Sequence, residues 1–423
     1  MIKKSYNKLD LDVYEETLDN GLRIYVCKIP RVEAHAKLTA FYGNDILEFK
    51  PIGENKYFKV PIGTAHFLEH KMFEQEDGVD IMDIFQKNGA SNNAYTNAHS
   101  TTYFFTAPNK FFENLENLLN CVTMPYYTDK NVKSEQGIID QEIKAILDRP
   151  IYVSYYTALF NLFHHHPYRY PVAGTSESIK KITPEILYTC YNTFYHPANM
   201  VLAITGNVNP KETITYIKNY FKDKKYPKLD KIETKKYDEP KTVYKKEETV
   251  IKDLTNKVVE NVYKVYIGDA DMSVFKIFTY MGIYLDIKFG AISKFNKDKM
   301  NDKNVLKRVD HFMDEVDNYL VIHFDTEVME TKNTLKEIYD NINDKEISED
   351  DFNLMHKNLI KSVILLTENV VGVANSITYQ VREYGNPIYD MHDIYQNLNF
   401  KEFKELIDKL DFTNNTKVVV TNK

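Results

Sequence analysis

Residues 64–73 read Thr-Ala-His-Phe-Leu-Glu-His-Lys-Met-Phe, and this stretch decides how the rest of the chain is interpreted. If it is a helix, His66 and His70 lie four residues apart on one face and can point at one metal ion. Glu69 lies next to His70 in the sequence and can face the same space without being a ligand of the metal. Two imidazoles and one further ligand leave one position of a zinc ion open, as in catalytic zinc sites. A carboxylate that is not a ligand can then take a proton from water.

A simpler interpretation of this stretch is an amphipathic core helix that carries two histidines by chance. The chain has 12 histidines, so the pattern alone does not distinguish a metal site from this core helix. A third ligand would distinguish them. A carboxylate often completes a site that has two imidazoles. Glu142, on a helix predicted over residues 130–147, is the candidate. Glu135 shares a face of that helix with Glu142. It could support the site by hydrogen bonding to a metal ligand or by holding the local structure.

The composition is that of a globular protein with two or more domains. The chain has 423 residues, of which 43% are hydrophobic and 27% charged. A net charge of −7 argues against a nucleic-acid binder, which would need a basic surface. We find no apolar run long enough to span a membrane and no signal peptide, so we expect no membrane partner. Three scattered cysteines fit a reducing compartment, and we expect a cytoplasmic protein.

A lysine-rich segment divides the chain. Residues 222–241 contain prolines and lack apolar periodicity, so we predict a linker there. It separates a metal-bearing αβ domain over residues 1–221 from a second αβ domain over residues 242–423.

The second half repeats the order of elements of the first. Residues 199–205 can be laid over residues 415–421, which predicts an internal duplication with an offset of 216 residues. At this offset the three candidate ligands fall on Gly282, Asp286 and Asn358. The second copy would therefore keep the shape of the first and lack the metal.

The consecutive histidines His164, His165 and His166 form a second cluster of potential ligands, at the end of a helix predicted over residues 152–166. We do not expect a metal there. Neighbouring residues on a helix point about 100° apart and cannot all converge on one ion.

Together these features resemble the pitrilysin-type metallopeptidases, which include insulin-degrading enzyme and the mitochondrial processing peptidases. The inverted His-x-x-Glu-His motif of residues 66–70, typical of inverzincins, is followed by Glu135 and Glu142 at the family's spacing. Further matching segments are residues 91–96, 166–175 and 195–200. The resemblance covers residues 15–215 best. It is closest to short bacterial members that look like the zinc-bearing halves of paired systems, whose other half is a homologous subunit without the metal motif.

The resemblance implies an α+β fold of two homologous αβ domains, each a mixed, mostly antiparallel sheet with helices packed on it. It also implies that zinc (Zn²⁺) is the cofactor, bound by His66, His70 and Glu142. Glu69 would be the general base, and Glu135 would support catalysis.

The implied substrate is a peptide added as an extra strand to a sheet edge formed by Asn93, Ala94 and Tyr95. The predicted function is a zinc endopeptidase that cleaves peptides or unfolded protein segments, with Glu69 activating a zinc-bound water. Two alternatives stay open. The chain could be a scaffold or regulatory subunit of a paired peptidase complex, or a maturation peptidase dedicated to one peptide or protein.

One part of the family's active site is missing from the sequence. Family members take an Arg and a Tyr from the second half, and the corresponding residues 289–303 have neither at the required spacing. The transition state needs a donor for its oxyanion besides the metal. We expect a homologous partner subunit to supply it, in a heterodimer with a zinc-less chain or in a homodimer. The alternative is a chain that is a weak enzyme alone.

Overall fold

The computed structural model describes residues 1–422 except Asn7 and Asp230. The strands are β1 (Ile2–Tyr6), β2 (Leu11–Thr17), β3 (Arg23–Lys28), β4 (Ala34–Ala40), β5 (Glu48–Phe49), β6 (Phe58–Lys59), β7 (Ser91–Thr96), β8 (Thr101–Ala107), β9 (Met200–Gly206), β10 (Glu247–Ile251), β11 (Lys257–Tyr266), β12 (Asp310–Val316), β13 (Tyr319–Val328) and β14 (Asn415–Thr421). The helices are α1 (Thr64–Lys71), α2 (Ile81–Lys87), α3 (Phe111–Thr123), α4 (Asp129–Leu147), α5 (Pro150–Leu162), α6 (Ser176–Ile179), α7 (Pro184–Phe194), α8 (Pro210–Phe221), α9 (Val274–Phe289), α10 (Lys294–Met300), α11 (Lys332–Asn343), α12 (Glu349–Leu366), α13 (Val370–Tyr384), α14 (Met391–Gln396) and α15 (Phe400–Lys409).

These elements form two compact units, each assembled from separate parts of the chain. Unit 1 comprises Met1–Ile143, Pro171–Lys236 and Ser362–Ile394. Unit 2 comprises Lys144–Tyr170, Tyr237–Lys361 and Tyr395–Lys423.

Unit 1 is built on a seven-stranded sheet with the spatial order β1-β2-β3-β9-β4-β8-β7. Strands β3 and β9 are parallel, and the other neighbours are antiparallel. Helix α13 packs against β9 and β4, while α1 packs against β7 and β8. The central strands β4 and β9 are buried along their whole length. The sequence of β9 is nearly continuously apolar, as expected for a strand that is covered on both faces and needs no alternation of apolar and polar residues.

Unit 2 is built on a five-stranded sheet with the order β10-β14-β11-β13-β12. One face carries the main hydrophobic core, in which Tyr263 and Phe324 pack with Tyr280, Tyr284 and Phe403 from helices. Helix α5 packs against β11 and β14. Val153 of α5 lies in a separate apolar cluster with strand valines.

The two sheets repeat one pattern, as the predicted duplication requires. Strands β3-β9-β4-β8-β7 of unit 1 correspond to β10-β14-β11-β13-β12 of unit 2, and each series begins with a parallel pair followed by antiparallel pairs. Gly282 and Asp286 lie on α9 and Asn358 lies on α12. The predicted α+β fold, with two similar mixed sheets covered by helices, is confirmed.

The units differ from the contiguous domains predicted over residues 1–221 and 242–423. Helix α5 precedes the predicted linker yet belongs to unit 2, and α13 follows it yet belongs to unit 1. Each helix buries its apolar face on the sheet of that unit, and this packing decides where it belongs. Composition marks where the chain is polar and irregular but does not show which sheet a helix covers.

Glu239 anchors the lysine-rich segment predicted as a linker over residues 222–241. The backbone N–H groups of His164, His165 and His166 donate to its carboxylate at 2.7, 2.8 and 2.9 Å. The same carboxylate accepts from buried Lys264 at 2.6 Å. Since α5 ends at Leu162, the three histidines lie beyond the helix on which they were predicted.

No single helix in the described part of the chain is long and apolar enough to cross a membrane. Only α12 and α13 together, across a bend, reach that length and hydropathy.

Candidate metal centre

Helix α1 holds both histidines in a fixed position beside the sheet of unit 1. Phe67 and Leu68 are fully buried and attach the helix to the core. The helix begins after Gly63, which has a φ of +90°, a conformation that favours glycine. A Cβ atom there would lie 2.7 Å from the carbonyl oxygen of Ala173. The backbone of two segments therefore meets at the start of the metal-site helix.

The three predicted ligands converge. The Nε2 atom of His66 lies 3.7 Å from Glu142 Oε1, and the Nε2 atom of His70 lies 3.5 Å from Glu142 Oε2. One ligand atom from each of the three residues fits within 4.8 Å of the others. Ligands placed 2.0–2.1 Å from a tetrahedral zinc ion are about 3.3 Å apart. The described residues offer this one group of His, Cys, Asp and Glu side chains that could hold a metal.

The protonation of the two imidazoles differs because their surroundings differ. Burial and the neighbouring His70 lower the pKa of His66 to about 3, so its ring is neutral at physiological pH. Burial also lowers the pKa of His70, but the hydrogen bond to Glu135 and nearby carboxylates outweigh it and raise that pKa overall.

Glu135 lies behind His70, where a supporting acid was predicted. Its Oε1 atom is 3.0 Å from His70 Nδ1, and its Oε2 atom is 3.9 Å from the Nζ atom of buried Lys71. A carboxylate on Nδ1 fixes the tautomer and leaves Nε2 free to bind a metal. Lys71 also pairs with Glu74, so Glu135 belongs to a network of charged side chains that includes Lys71 and Glu74.

Glu69 is held by a residue that the sequence analysis did not assign a role. The hydroxyl of Thr96 donates to Glu69 Oε2 at 2.6 Å. Burial raises the pKa of Glu69, and this hydrogen bond opposes the rise. Thr96 ends strand β7, two residues after Ala94, so strand alternation places both on the face toward α1. That alternation was the signal available in the sequence.

Asn93, Ala94 and Tyr95 lie in strand β7, at the edge of the sheet. Strand β7 pairs with β8, and its other edge has no partner strand among the described residues. The backbone N–H of Ala94 donates to the side-chain oxygen of Asn93 at 2.9 Å. The edge is thus available for another strand once that side chain turns away.

Two family models match adjoining parts of the chain. The model described as Insulinase (Peptidase family M16) matches residues 54–176, and the model described as Peptidase M16 inactive domain matches residues 181–275. The chain is 41% identical over 254 residues to the uncharacterized zinc protease YmfH of Bacillus subtilis, covering 59% of each chain. It is 30% identical over 170 residues to the mitochondrial-processing peptidase subunit beta of Caenorhabditis elegans, covering 39% of this chain and 37% of that protein.

The matched stretch spans about half the length of the first curated relatives, from 46% to 59%. Solved structures match over nearly the whole chain. An M16-like peptidase from Alicyclobacillus acidocaldarius superposes with a TM-score of 0.91 at 25% identity, covering 99% of this chain and 100% of that one. A protease from Helicobacter pylori shares the fold, with a TM-score of 0.84 at 18% identity and coverage of 97% and 99%.

Proposed function

Because this chain belongs to the insulinase family of peptidases, peptidase family M16, we propose that it is a zinc-dependent endopeptidase. Its substrates are peptides or unfolded protein segments. The observation that carries the proposal is the convergence of His66, His70 and Glu142 beside the buried Glu69. Structural zinc sites are closed by four ligands, whereas three protein ligands with an adjacent acid are typical of hydrolytic sites.

The three side chains suit zinc in type as well as in position. Two imidazoles with one carboxylate form a known ligand set of zinc peptidases. When bound, zinc supplies a Lewis acid that polarises the scissile carbonyl and makes water acidic near neutral pH. The neutral ring of His66 has a nitrogen lone pair to offer a metal. The Nδ1 contact of His70 with Glu135 leaves the Nε2 atom of His70 to bind.

Glu69 acts as the general base in this proposal. Thr96 holds Glu69 Oε2, and Glu69 Oε1 has no hydrogen-bond partner within the described chain. The free oxygen can take a proton from the attacking water and return it to the leaving amine. Its 7% exposure and raised pKa favour such a transfer in both directions.

The substrate is held as a strand along β7. Main-chain hydrogen bonds to the open edge would give affinity with little dependence on sequence. Ala94 and Thr96 face α1, so the added strand would run close to Glu69 and the metal ligands. Asn93 must release the Ala94 N–H for this pairing.

A second subunit completes the site in this proposal. Residues 289–303 form the end of α9, a connection and α10 in unit 2, and contain no Arg or Tyr. The oxyanion donor would then come from a homologous partner, either a zinc-less chain or a second copy. A cytoplasmic location remains a prediction from the sequence.

The proposal is tested by assaying the purified chain with internally quenched peptides, alone and mixed with a zinc-less homologous subunit. We expect cleavage that stops with a chelator and returns with zinc. Bound zinc is measured in parallel. A chain that binds no zinc and leaves every peptide intact would favour the scaffold alternative.

A further inference from the structure

Lys37 differs from every other buried lysine in the described chain. Four buried lysines pair with carboxylates, namely Lys71 with Glu74, Lys264 with Glu239, Lys288 with Asp344 and Lys299 with Glu337. Lys37 is 4% exposed, and both of its hydrogen-bond partners are neutral. Because an unpaired charge is costly to remove from water, an anion would stabilise this site.

The contacts of Lys37 leave hydrogen-bond donors unused. Its Nζ atom donates to the hydroxyl of Tyr95 at 2.9 Å and to Oδ1 of Asn375 at 2.6 Å. An ammonium group has three N–H donors, so one remains. Since the Tyr95 oxygen accepts from Lys37, its own proton points elsewhere and meets no acceptor in the described part of the chain. Tyr95 is 40% exposed and can present that proton to a ligand.

The cluster lies beside the open edge of the sheet, on the face away from α1. Lys37 pairs across strands with Phe104, which pairs with Asn93, so these side chains share a face with Tyr95. A strand added to β7 would alternate its side chains between the two faces. Every second side chain would therefore lie on the same face as Tyr95, and the one opposite Tyr95 would be close to its ring and hydroxyl.

A second polar atom on this face also lacks a partner. His35 precedes Lys37 by two residues on β4, and its Nδ1 atom contacts the Thr106 hydroxyl at 2.9 Å. Its Nε2 atom is buried with no hydrogen-bond partner among the described residues. The face thus holds a lysine without a counter-charge and an unsatisfied imidazole nitrogen.

We infer that Lys37, Tyr95 and Asn375 form a subsite for a carboxylate of the bound peptide, an inference that rests on the proposed peptidase function. The Tyr95 hydroxyl donates to the carboxylate, and Lys37 behind it supplies the positive charge. Asn375 holds the ammonium in place. Hydrogen bonds assisted by charge in this way are about twice as strong as neutral ones. The carboxylate belongs to an acidic side chain or to the C-terminus of the peptide.

The test measures peptide binding to the full chain carrying Glu69→Gln, by fluorescence anisotropy. The probes are labelled extended peptides with one Glu at successive positions, matched peptides with Gln, and both series with free and amidated C-termini. We expect about tenfold tighter binding of the Glu peptides at alternate positions, or of the free-acid series. Tighter binding of the Glu peptides would show that the subsite takes an acidic side chain. Tighter binding of the free-acid series would show that it takes the C-terminal carboxylate.

Two variants of the subsite and one control complete the test. Lys37→Met and Tyr95→Phe should each reduce binding of the acidic peptides to the level of their neutral partners. Lys28→Met, on an exposed residue of the same sheet, should retain the preference. A preference that survives in Lys37→Met, or equal binding of all peptides, would overturn the subsite while leaving the peptidase proposal intact. Absence of peptide binding to the Glu69→Gln chain, together with absence of cleavage by the zinc-loaded wild type, would overturn both.

Discussion

The contact between Glu135 and His70 should set the zinc affinity of the site. Glu135 Oε1 lies 3.0 Å from His70 Nδ1, and the acid side chain is 13% exposed. Loss of such a partner typically weakens metal binding 10–100-fold, or by about 1.4–2.7 kcal/mol. We expect Glu135→Ala to fall in this range. Glu135→Gln should lose less zinc affinity, because the amide oxygen of the glutamine can still accept a hydrogen bond from His70 Nδ1.

Zinc affinity can be measured for these variants by competition with a chromophoric chelator at neutral pH. The matched control is Gln141→Ala, an exposed position on the same helix, which should bind zinc like the wild type. Thermal unfolding of the zinc-free proteins separates loss of affinity from loss of structure, since Glu135 also lies near buried Lys71. Wild-type affinity in Glu135→Ala, with an intact fold, would refute the assigned role.

Three further perturbations test other contacts. Thr96→Val should lower kcat about tenfold with little change in KM, whereas Thr96→Ser should restore kcat, because the hydroxyl orients Glu69. Glu239→Ala should destabilise the fold by about 3–5 kcal/mol in urea unfolding, because it leaves Lys264 buried without its counter-charge. Burial lowers the pKa of His35 from 6.5 to about 4, so its contribution to stability is present above pH 6.5 and is lost as the pH falls toward 4. His35→Gln should therefore remove up to about 3 kcal/mol of the acid-induced loss of stability between those pH values.

Each of these expectations has a clear contrary outcome. Equal kcat in Thr96→Val and the wild type would show that Glu69 needs no orienting hydroxyl. An unchanged urea midpoint in Glu239→Ala would mean that Lys264 finds water or another partner. An identical pH profile in His35→Gln would show that His35 is protonated equally in the folded and unfolded chains.

The candidate metal ligands could be located from the sequence because the geometry within each pair is local and the family resemblance related the two pairs. His66 and His70 share a helix face through their spacing, as do Glu135 and Glu142. The structure brings the two pairs together. Alternation along β7 places Thr96 on one face with Ala94. Its contact with Glu69 also depends on how that strand packs against α1, which sequence spacing does not fix.

Helix α13 shows what the sequence could not predict. Residues 370–384 are rich in valine and contain threonine, serine and asparagine, all weak helix formers. Packing on β9 and β4 stabilises the helix despite these propensities. The uncompensated charge of Lys37 was equally hidden, because Tyr95 and Asn375 reach it from distant parts of the chain.

The most direct test of the central claim compares the wild type with Glu69→Gln, each loaded with zinc, by mass spectrometry of peptide products. Both proteins should hold one zinc ion per chain at His66, His70 and Glu142. Cleavage should occur in the wild type and fall by about 10²–10⁴-fold in the variant. Equal cleavage by the two proteins at equal zinc content would contradict the account.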